Sequence, residues 1–221
     1  MQARGISRVC HFTREVNLNS IARLGAVKSH TELGRGRYQF VPNDDFRLDH
    51  HPDMISVTIE YPNVKLLKRW MLSSDDRWVV LCFDPSLLWR TGVLFSPTNA
   101  ARKSGSLLRH GAEGFDRLYE PQPEVVDQAR SERHVRCAPT DVQAEAMIPG
   151  ELGLNLLTTI VVRGLDDKRA LAPVLKPLLQ NAADSVACPT FMDVSLIGQV
   201  QRGRLPERDA VSGRFSIEDS P

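Results

Sequence analysis

The segment from Pro139 to Gly150 constrains the fold of this chain more than any other stretch of its sequence. From Gln143 onwards, small or apolar residues occupy every second position, while Gln143 and Glu145 fall on the opposite face. This alternation predicts a β-strand, and the Pro-Gly pair predicts its end. Such a strand holds Gln143 and Glu145 about 7 Å apart, where an amide and a carboxylate can line a cleft. The alternative is an edge strand with a solvated face. Because Glu145 lies on a strand face, we expect its side chain to be dispensable for the fold.

Composition is that of a soluble globular protein. The 221 residues are 42% hydrophobic and 25% charged, enough to bury one good core. We therefore predict a single domain over residues 1–202 and a flexible tail over residues 203–221. The four cysteines lie far apart, which argues against a zinc knuckle or a disulfide framework. No apolar run is long enough to span a membrane and no signal peptide is evident, so we expect a cytoplasmic monomer without a membrane partner.

Hydrophobic periodicity predicts strands separated and followed by helices, the pattern of the α+β class. Strands are predicted at Val9–Thr13, Met54–Glu60, Trp78–Phe83, Val93–Phe95, Leu154–Val162 and Ser195–Arg202. Helices are predicted at Leu18–Leu24 and Asp167–Gln180. Asn17 is expected to cap the first of these helices, and Gly25 is expected to end it.

Several common chemistries lack their sequence signals. The chain has no G-x-G-x-x-G after a strand, no phosphate-binding P-loop and no H-E-x-x-H. A polar stretch contains acids and histidines that suit a divalent metal, and a metal-dependent nuclease is therefore one alternative. These residues are Asp44, Asp45, Asp49, His50, His51 and Asp53. Their spacing matches no known metal pattern, so we expect no metal site.

Four short motifs occur in an order that resembles the DarT family of bacterial toxins. They are His11-Phe12-Thr13-x3-Asn17-Leu18-x2-Ile21-x2-Leu24-Gly25, then Arg47 in a polar loop before a strand, then Asn99-Ala100-Ala101, and last Gln143-Ala144-Glu145-Ala146. The family attaches ADP-ribose from NAD to a base in single-stranded DNA. The likeness spans about residues 9 to 162. It implies an ADP-ribosyltransferase-like split β-sheet core with flanking helices.

The resemblance also implies roles for individual residues. Glu145 corresponds to the catalytic glutamate, and Arg47 resembles the arginine needed for catalysis. His11 and Thr13 correspond to residues that hold the nicotinamide riboside of NAD, the co-substrate, and Asn17 to an asparagine that contacts it. Backbone groups of Phe12 are suited to clamp the nicotinamide amide.

The acceptor strand of DNA has its own predicted contacts. The segment Ser96–His110 contains Arg102, Lys103 and Arg109 but no acid, which suits a loop that follows phosphates. Asn99 precedes these residues and carries a donor and an acceptor that can read a base edge, and Gln143 is expected to orient the acceptor. The strand after the arginine loop lacks the aromatic residues of many thymine-modifying members, which favours the guanine-modifying branch.

The resemblance implies a toxin of a toxin–antitoxin pair that blocks DNA replication. Its cognate antitoxin would carry ADP-ribosyl-DNA hydrolase activity. An ADP-ribosyltransferase acting on RNA or protein remains an alternative within the same fold. A binding module with a decayed site is a third, although the presence of His11, Arg47 and Glu145 speaks against decay.

Overall fold

A computed structural model describes most of the chain and shows a mixed α/β architecture. The described residues are 2–43, 48–123, 125–126, 128–179, 184–206 and 214–215. The strands are β1 (Val9–Arg14), β2 (Ala26–Lys28), β3 (Met54–Ile59), β4 (Trp78–Phe83), β5 (Leu94–Ser96), β6 (Arg109–His110), β7 (Glu145–Pro149), β8 (Glu151–Gly153), β9 (Leu157–Val162), β10 (Asp184–Ala187) and β11 (Arg214–Phe215). The α-helices are α1 (Leu18–Leu24), α2 (His30–Arg35), α3 (Val64–Ser73), α4 (Gly111–Arg117), α5 (Leu165–Leu178) and α6 (Ser195–Gln201).

Nine of the described strands form one large sheet, in the order β11-β10-β9-β4-β1-β3-β7-β5-β6. Every neighbouring pair is antiparallel except β9 and β10, which run parallel. Strands β2 and β8 pair separately. The predicted α+β class is confirmed. No helix among the described residues is long and apolar enough to cross a membrane.

The sheet is split between its two central strands. β1 pairs with β4 along all six of its residues but with β3 only at Val9 opposite Ile59 and Cys10 opposite Thr58. Beyond Thr58, β3 continues to pair with β7 as far as Met54 opposite Pro149. The two halves of the sheet therefore diverge from a short shared segment, and a cleft opens where they part.

Apolar side chains cover both faces of the sheet, which fixes the two halves. All six residues of β4 are buried, as the continuous apolar run of Trp78–Phe83 predicts. One face packs under α1 and α5, and the other packs against the 3-10 helix Pro189–Met192 and α6. Each fully buried aliphatic or aromatic side chain contributes about 1.5–3 kcal/mol relative to an exposed one.

Strand β7 is an interior strand, and the predicted edge strand with a solvated face is wrong. It lies between β3 and β5, and Ala146, Met147 and Ile148 are fully buried. The strand also begins at Glu145 rather than Gln143. Residues 141–143 form a turn in which the Asp141 carboxylate accepts a hydrogen bond from the backbone N–H of Gln143 at 3.0 Å.

Two local predictions differ from the structure for identifiable reasons. The predicted strand Ser195–Arg202 is the helix α6, because Leu196 and Val200 are four residues apart and pack on one buried face. The predicted strand Leu154–Val162 begins with a 3-10 turn at Leu154–Leu156, and only Leu157–Val162 is extended. Helix α1 ends as predicted, with Gly25 at φ +67°.

Candidate active site

A cleft of about 170 Å³ opens where β1 and β3 separate. Residues of β1, β3, α1 and α2 line it, together with residues 40–43, Asp49, Asn99, Ala101 and Glu145. Six of the residues predicted to form the site lie along it, and they are His11, Phe12, Thr13, Asn17, Asn99 and Glu145. The structure thus brings together residues that are up to 134 positions apart in the chain, from His11 to Glu145.

The split lets side chains from both faces of the sheet reach this cleft. Residues directly opposite each other in antiparallel strands share a face. Glu145 lies opposite Thr58, which lies opposite Cys10, so these side chains leave one face. His11 and Thr13 leave the other face, because side chains alternate along β1. In a continuous sheet, the sheet itself would separate the side chains of its two faces. Because β1 diverges from β3, side chains from both faces reach the cleft.

The Glu145 carboxylate is 94% buried and held by one short segment that precedes the basic loop. The Asn99 side-chain amide donates to Oε1 at 3.0 Å, and the backbone N–H of Ala100 donates to Oε2 at 2.7 Å. Each oxygen therefore has a donor that fixes the orientation of the carboxylate. The structure speaks against the expectation that Glu145 is structurally dispensable, because the loss of its side chain would leave the buried N–H of Ala100 without this acceptor.

The imidazole of His11 is oriented by the backbone of β3. Its Nδ1 lies 3.0 Å from the carbonyl oxygen of Ser56. Since a carbonyl oxygen only accepts, Nδ1 carries the proton, and this contact assigns the tautomer of the neutral ring. The hydrogen bond crosses the gap where β1 and β3 no longer pair, and it fixes the ring at the mouth of the split.

Asn17 does not cap α1 as predicted. Its side-chain amide instead pairs with the backbone of Val41, with Nδ2 donating to the carbonyl oxygen at 2.8 Å and Oδ1 accepting from the amide at 2.9 Å. Nδ2 also lies 3.2 Å from the Thr13 hydroxyl. The side chain thereby mimics a strand neighbour and ties the segment 38–43 down over the cleft. We refer to residues 38–43 as the strap.

Phe12 and Asn43 extend the contact between β1 and the strap. The Phe12 ring packs edge-on against Trp70 and Trp78, with ring centroids 5.3 and 6.0 Å away. Its carbonyl oxygen accepts a hydrogen bond from Asn43 Nδ2 at 2.8 Å. The backbone group that is expected to clamp a nicotinamide amide thus already binds a carboxamide of the same chemical type.

Most of the residues predicted to contact the acceptor DNA do not line the cleft. Arg102 and Lys103 are exposed on the loop after Ala101, which itself lines the cleft, and Arg109 is exposed on β6, where this loop ends. Gly105 fixes this loop against the cleft wall, because a Cβ there would meet the carbonyl oxygen of Asp49 at 2.6 Å. Gln143 is half-buried in the turn before β7 and is not among the residues that line the cleft.

Three predicted features fall wholly or partly on residues outside the described ranges. One is the tail 203–221, of which the structure describes only residues 203–206 and 214–215. Arg47 is another, so its placement relative to the cleft is not part of the structure. Asp44 and Asp45 also lie outside. Within the described ranges, no group of three or more His, Cys, Asp or Glu side chains could hold a metal ion.

Sequence reasoning missed the residues that support the site. Asp141, 94% buried, accepts from the Thr98 hydroxyl at 2.7 Å, and Asn43 binds Phe12. The partners of Val41 and Asn43 lie 24 and 31 residues away in sequence, so no local pattern signals these contacts. Thr98 follows Pro97, and no local pattern links it to Asp141.

A second polar cluster lies away from the cleft, beneath the turn before β7. Burial, reinforced by the nearby Arg130 guanidinium, lowers the pKa of His134 to about 4. Its Nε2 donates to the Pro139 carbonyl oxygen at 3.0 Å. Desolvation also lowers the pKa of Arg130, whose guanidinium donates to the carbonyl oxygens of Val135 and Ala138. This cluster braces the segment that leads to Glu145.

Comparison with known proteins agrees with this architecture. The fold class is that of the DarT ADP-ribosyltransferases, whose solved structures superpose on this chain. The family model "ssDNA thymidine ADP-ribosyltransferase, DarT" matches residues 10–182. That match covers well over half of the sequence, and the chain belongs to the DarT family of ADP-ribosyltransferases. A search of curated proteins found no significant match.

Solved structures of the same family share the fold at low sequence identity. Thermosipho africanus DarTG in complex with ADP-ribose superposes with a TM-score of 0.58 at 16% identity, over 84% of this chain and 51% of that chain. This chain therefore spans about half of the Thermosipho chain. Thermus sp. 2.9 DarT in complex with ADP-ribosylated ssDNA gives 0.55 at 13% identity, over 85% and 96%. The same Thermus protein with carba-NAD+ gives 0.53 at 15%, over 82% and 94%.

Proposed function

We propose that this protein transfers ADP-ribose from NAD+ to a base in single-stranded DNA and releases nicotinamide. The observation that carries the proposal is the Glu145 carboxylate, fixed by Asn99 and Ala100 on the wall of a cleft that His11 and Thr13 also line. Membership of the DarT family supports the reaction class. The ligands in the neighbouring structures, ADP-ribose, carba-NAD+ and ADP-ribosylated ssDNA, are consistent with both substrates.

The chemistry requires a fixed negative charge beside the ribose. The bond between ribose C1′ and the nicotinamide nitrogen breaks, and nicotinamide leaves with the bonding electrons as a neutral molecule. Positive charge then develops on the sugar, as in glycoside hydrolysis. A nitrogen of the base donates its electron pair to C1′ and loses a proton. Glu145 stabilises the charged sugar and accepts that proton or holds the 2′-hydroxyl.

Residues around Glu145 are assigned to the co-substrate by their position. His11, held through its Nδ1, is proposed to contact the ribose, and Thr13 lies two residues further along the same face of β1. The Phe12 carbonyl oxygen binds the nicotinamide amide in place of the Asn43 carboxamide. Arg47 supplies a planar donor for the pyrophosphate or a DNA phosphate; Asn43 and Asp49, on either side of it in sequence, both line the cleft. Asn17 acts through the strap.

The acceptor is proposed to be guanine in a single strand. A base must be unstacked to reach a carboxylate inside a cleft, which favours single-stranded over duplex DNA. Guanine is proposed over thymine because β3, which lines the cleft from Met54 to Thr58, carries Ile55, Ser56 and Val57 rather than aromatic residues. Gln143 is proposed to help orient the strand at the edge of the site. The resemblance to the DarT toxins also leads us to propose that the protein is the toxin of a toxin–antitoxin pair.

The base is tested with NAD+ and short single-stranded oligonucleotides that differ in base content. Each contains a single guanine, thymine, adenine or cytosine in an otherwise uniform sequence, and products are read by mass spectrometry. Modification of the guanine oligonucleotide supports the proposal, and selective modification of thymine overturns the base assignment. An RNA of the same sequence and a bystander protein in the same reaction distinguish the alternative acceptors.

A further inference from the structure

We infer that Asn99 is a positioning residue that holds the Glu145 carboxylate in its reactive orientation, rather than a residue that reads a base. The inference deepens the proposed function and rests on it. Asn99 Nδ2 donates to Oε1 of Glu145 at 3.0 Å, while the next residue, Ala100, donates its backbone N–H to Oε2 at 2.7 Å. Two consecutive residues therefore bind the two oxygens of one carboxylate.

The other end of the Asn99 side chain is occupied as well. Its Oδ1 accepts the backbone N–H of Ala101 at 3.1 Å. Because an amide nitrogen cannot accept that hydrogen bond, this contact assigns which end of the amide faces Glu145. One N–H of the amide and one acceptor site of its oxygen are thus engaged inside the protein. The orientation of the Asn99 side chain is therefore set by contacts within the protein, one of which is to Glu145.

A second set of buried contacts holds the segment that carries Asn99. The Thr98 hydroxyl donates to Oδ2 of Asp141 at 2.7 Å, and Oδ1 of the same carboxylate accepts from the backbone N–H of Gln143 at 3.0 Å. Thr98 is fully buried and Asp141 is 94% buried. Asp141 thereby links the segment before the basic loop to the turn before β7. The register of Ser96 opposite Glu145 provides a second link.

This arrangement matters because the carboxylate must act on a short-lived charged sugar. A glutamate side chain has three rotatable bonds, and its electrostatic effect depends on an orientation that is set before the reaction. Hydrogen bonds to a charged group are the stronger ones in proteins. Removal of the Asn99 donor should therefore lower the rate of the chemical step while the binding of NAD+ and DNA is retained.

The test compares Asn99→Ala and Asn99→Asp with Asn155→Ala, an exposed asparagine remote from the cleft. For each protein we would measure kcat for transfer, the affinities for NAD+ and a single-stranded oligonucleotide, and the base preference. We expect Asn99→Ala to lower kcat roughly 10- to 100-fold and to change both affinities less than about twofold, with base preference unaltered. Asn155→Ala should match the wild type.

Asn99→Asp adds a readout that general loosening of the site would not produce. Aspartate has the shape of asparagine but faces Glu145 with a like charge, and protonation of the introduced carboxylate restores the lost donor. The ratio of variant to wild-type kcat should therefore rise as the pH falls, whereas the ratio for Asn99→Ala stays flat. His11 and Asp49 in the cleft and Asp141 behind Thr98 are common to all three proteins, so their titration cancels in these ratios.

Wild-type kcat in Asn99→Ala, or an unchanged kcat with an altered base preference, would overturn the inference. Failure of the proposed function is distinguished by the wild type, which would then modify no DNA. In that event the contact is still tested without NAD+, by urea unfolding of Asn99→Ala, Glu145→Ala and the double variant. We expect Asn99→Ala to lower the midpoint less in the Glu145→Ala background, because the hydrogen bond is already lost. Equal losses in both backgrounds would show that Asn99 does not act through Glu145.

Discussion

Glu145 combines a proposed catalytic role with a structural one. Substitution by glutamine keeps its size but removes the negative charge, so transfer should fall by at least about 10²- to 10³-fold. Glu145→Ala should be equally inactive and should also lose about 1–3 kcal/mol of unfolding free energy, because the buried N–H of Ala100 loses its acceptor. Transfer assays and urea unfolding of both variants check this. A folded Glu145→Gln protein with wild-type activity would refute the catalytic role.

We expect protonation of the buried His134 to make the stability of the protein depend on pH. Burial and Arg130 lower its pKa from 6.5 to about 4 in the folded state, so the unfolded chain takes up the proton first. The free energy of unfolding is therefore highest above pH 6.5 and decreases as the pH falls from 6.5 through 4, by about 3 kcal/mol in total. Its Nδ1 has no hydrogen-bond partner among the described residues, which is consistent with a neutral ring.

The measurement is the unfolding free energy of the wild type and His134→Gln between pH 7.5 and 4.5. Glutamine can donate to the Pro139 carbonyl oxygen without titrating, so the variant should lose less stability over this range. The exposed His110→Gln, on β6, is the control and should follow the wild type. Identical curves for the wild type and His134→Gln would show that another group causes the loss.

At the scale of elements, the basic loop after Ala101 is expected to carry DNA. Arg102, Lys103 and Arg109 are exposed, and the loop sits against Asp49 at the cleft. Replacing all three with glutamine should weaken single-strand binding and flatten its dependence on salt by up to about 2 units of slope, from about 0.7 per lost contact. Affinity for NAD+ should not change.

Salt titrations of oligonucleotide binding check this, with Arg169→Gln/Lys176→Gln on α5 as the control because these exposed side chains lie away from the cleft. An unchanged slope in the triple variant would remove the loop from the DNA path. A matching loss of NAD+ affinity would place it in the co-substrate site instead.

The strap should depend on Asn17. The amide of Val41 donates to Asn17 Oδ1 at 2.9 Å, so Asn17→Ala should speed hydrogen exchange in residues 38–43 of the protein without NAD+. Asn19→Ala, exposed on the same helix, is the matched control. Hydrogen-exchange mass spectrometry measures both. Unchanged exchange in Asn17→Ala would show that the strap is held by other contacts.

Local sequence patterns predicted strands but did not predict how the strands pair with one another. The alternation in β3 and the apolar run in β4 are properties of six consecutive residues, and both elements are found where predicted. The split is a property of pairing between β1 and β3, which neither sequence signals. Asn17 was expected to act on its own helix but bonds Val41, 24 residues away. The helix α6 was missed because a short apolar run fits either period.

At the scale of the whole molecule, the split sheet provides a single cleft for the two proposed substrates. β1 and the strap form one wall, and β3, Glu145, Asn99 and Ala101 contribute the other. The co-substrate is proposed to bind beside β1, with the acceptor approaching past the basic loop, so that Glu145 lies between them.

The most direct test of this account is a transfer reaction with the wild type and Glu145→Gln. Each is incubated with NAD+ and a mixed-sequence single-stranded oligonucleotide in EDTA, with the duplex in parallel, and the DNA is analysed by mass spectrometry. We expect the wild type to add one ADP-ribosyl group to the single strand with release of nicotinamide, to modify the duplex far less, and Glu145→Gln to modify neither. An unmodified single strand, or DNA cleavage that requires a divalent metal ion, would contradict it.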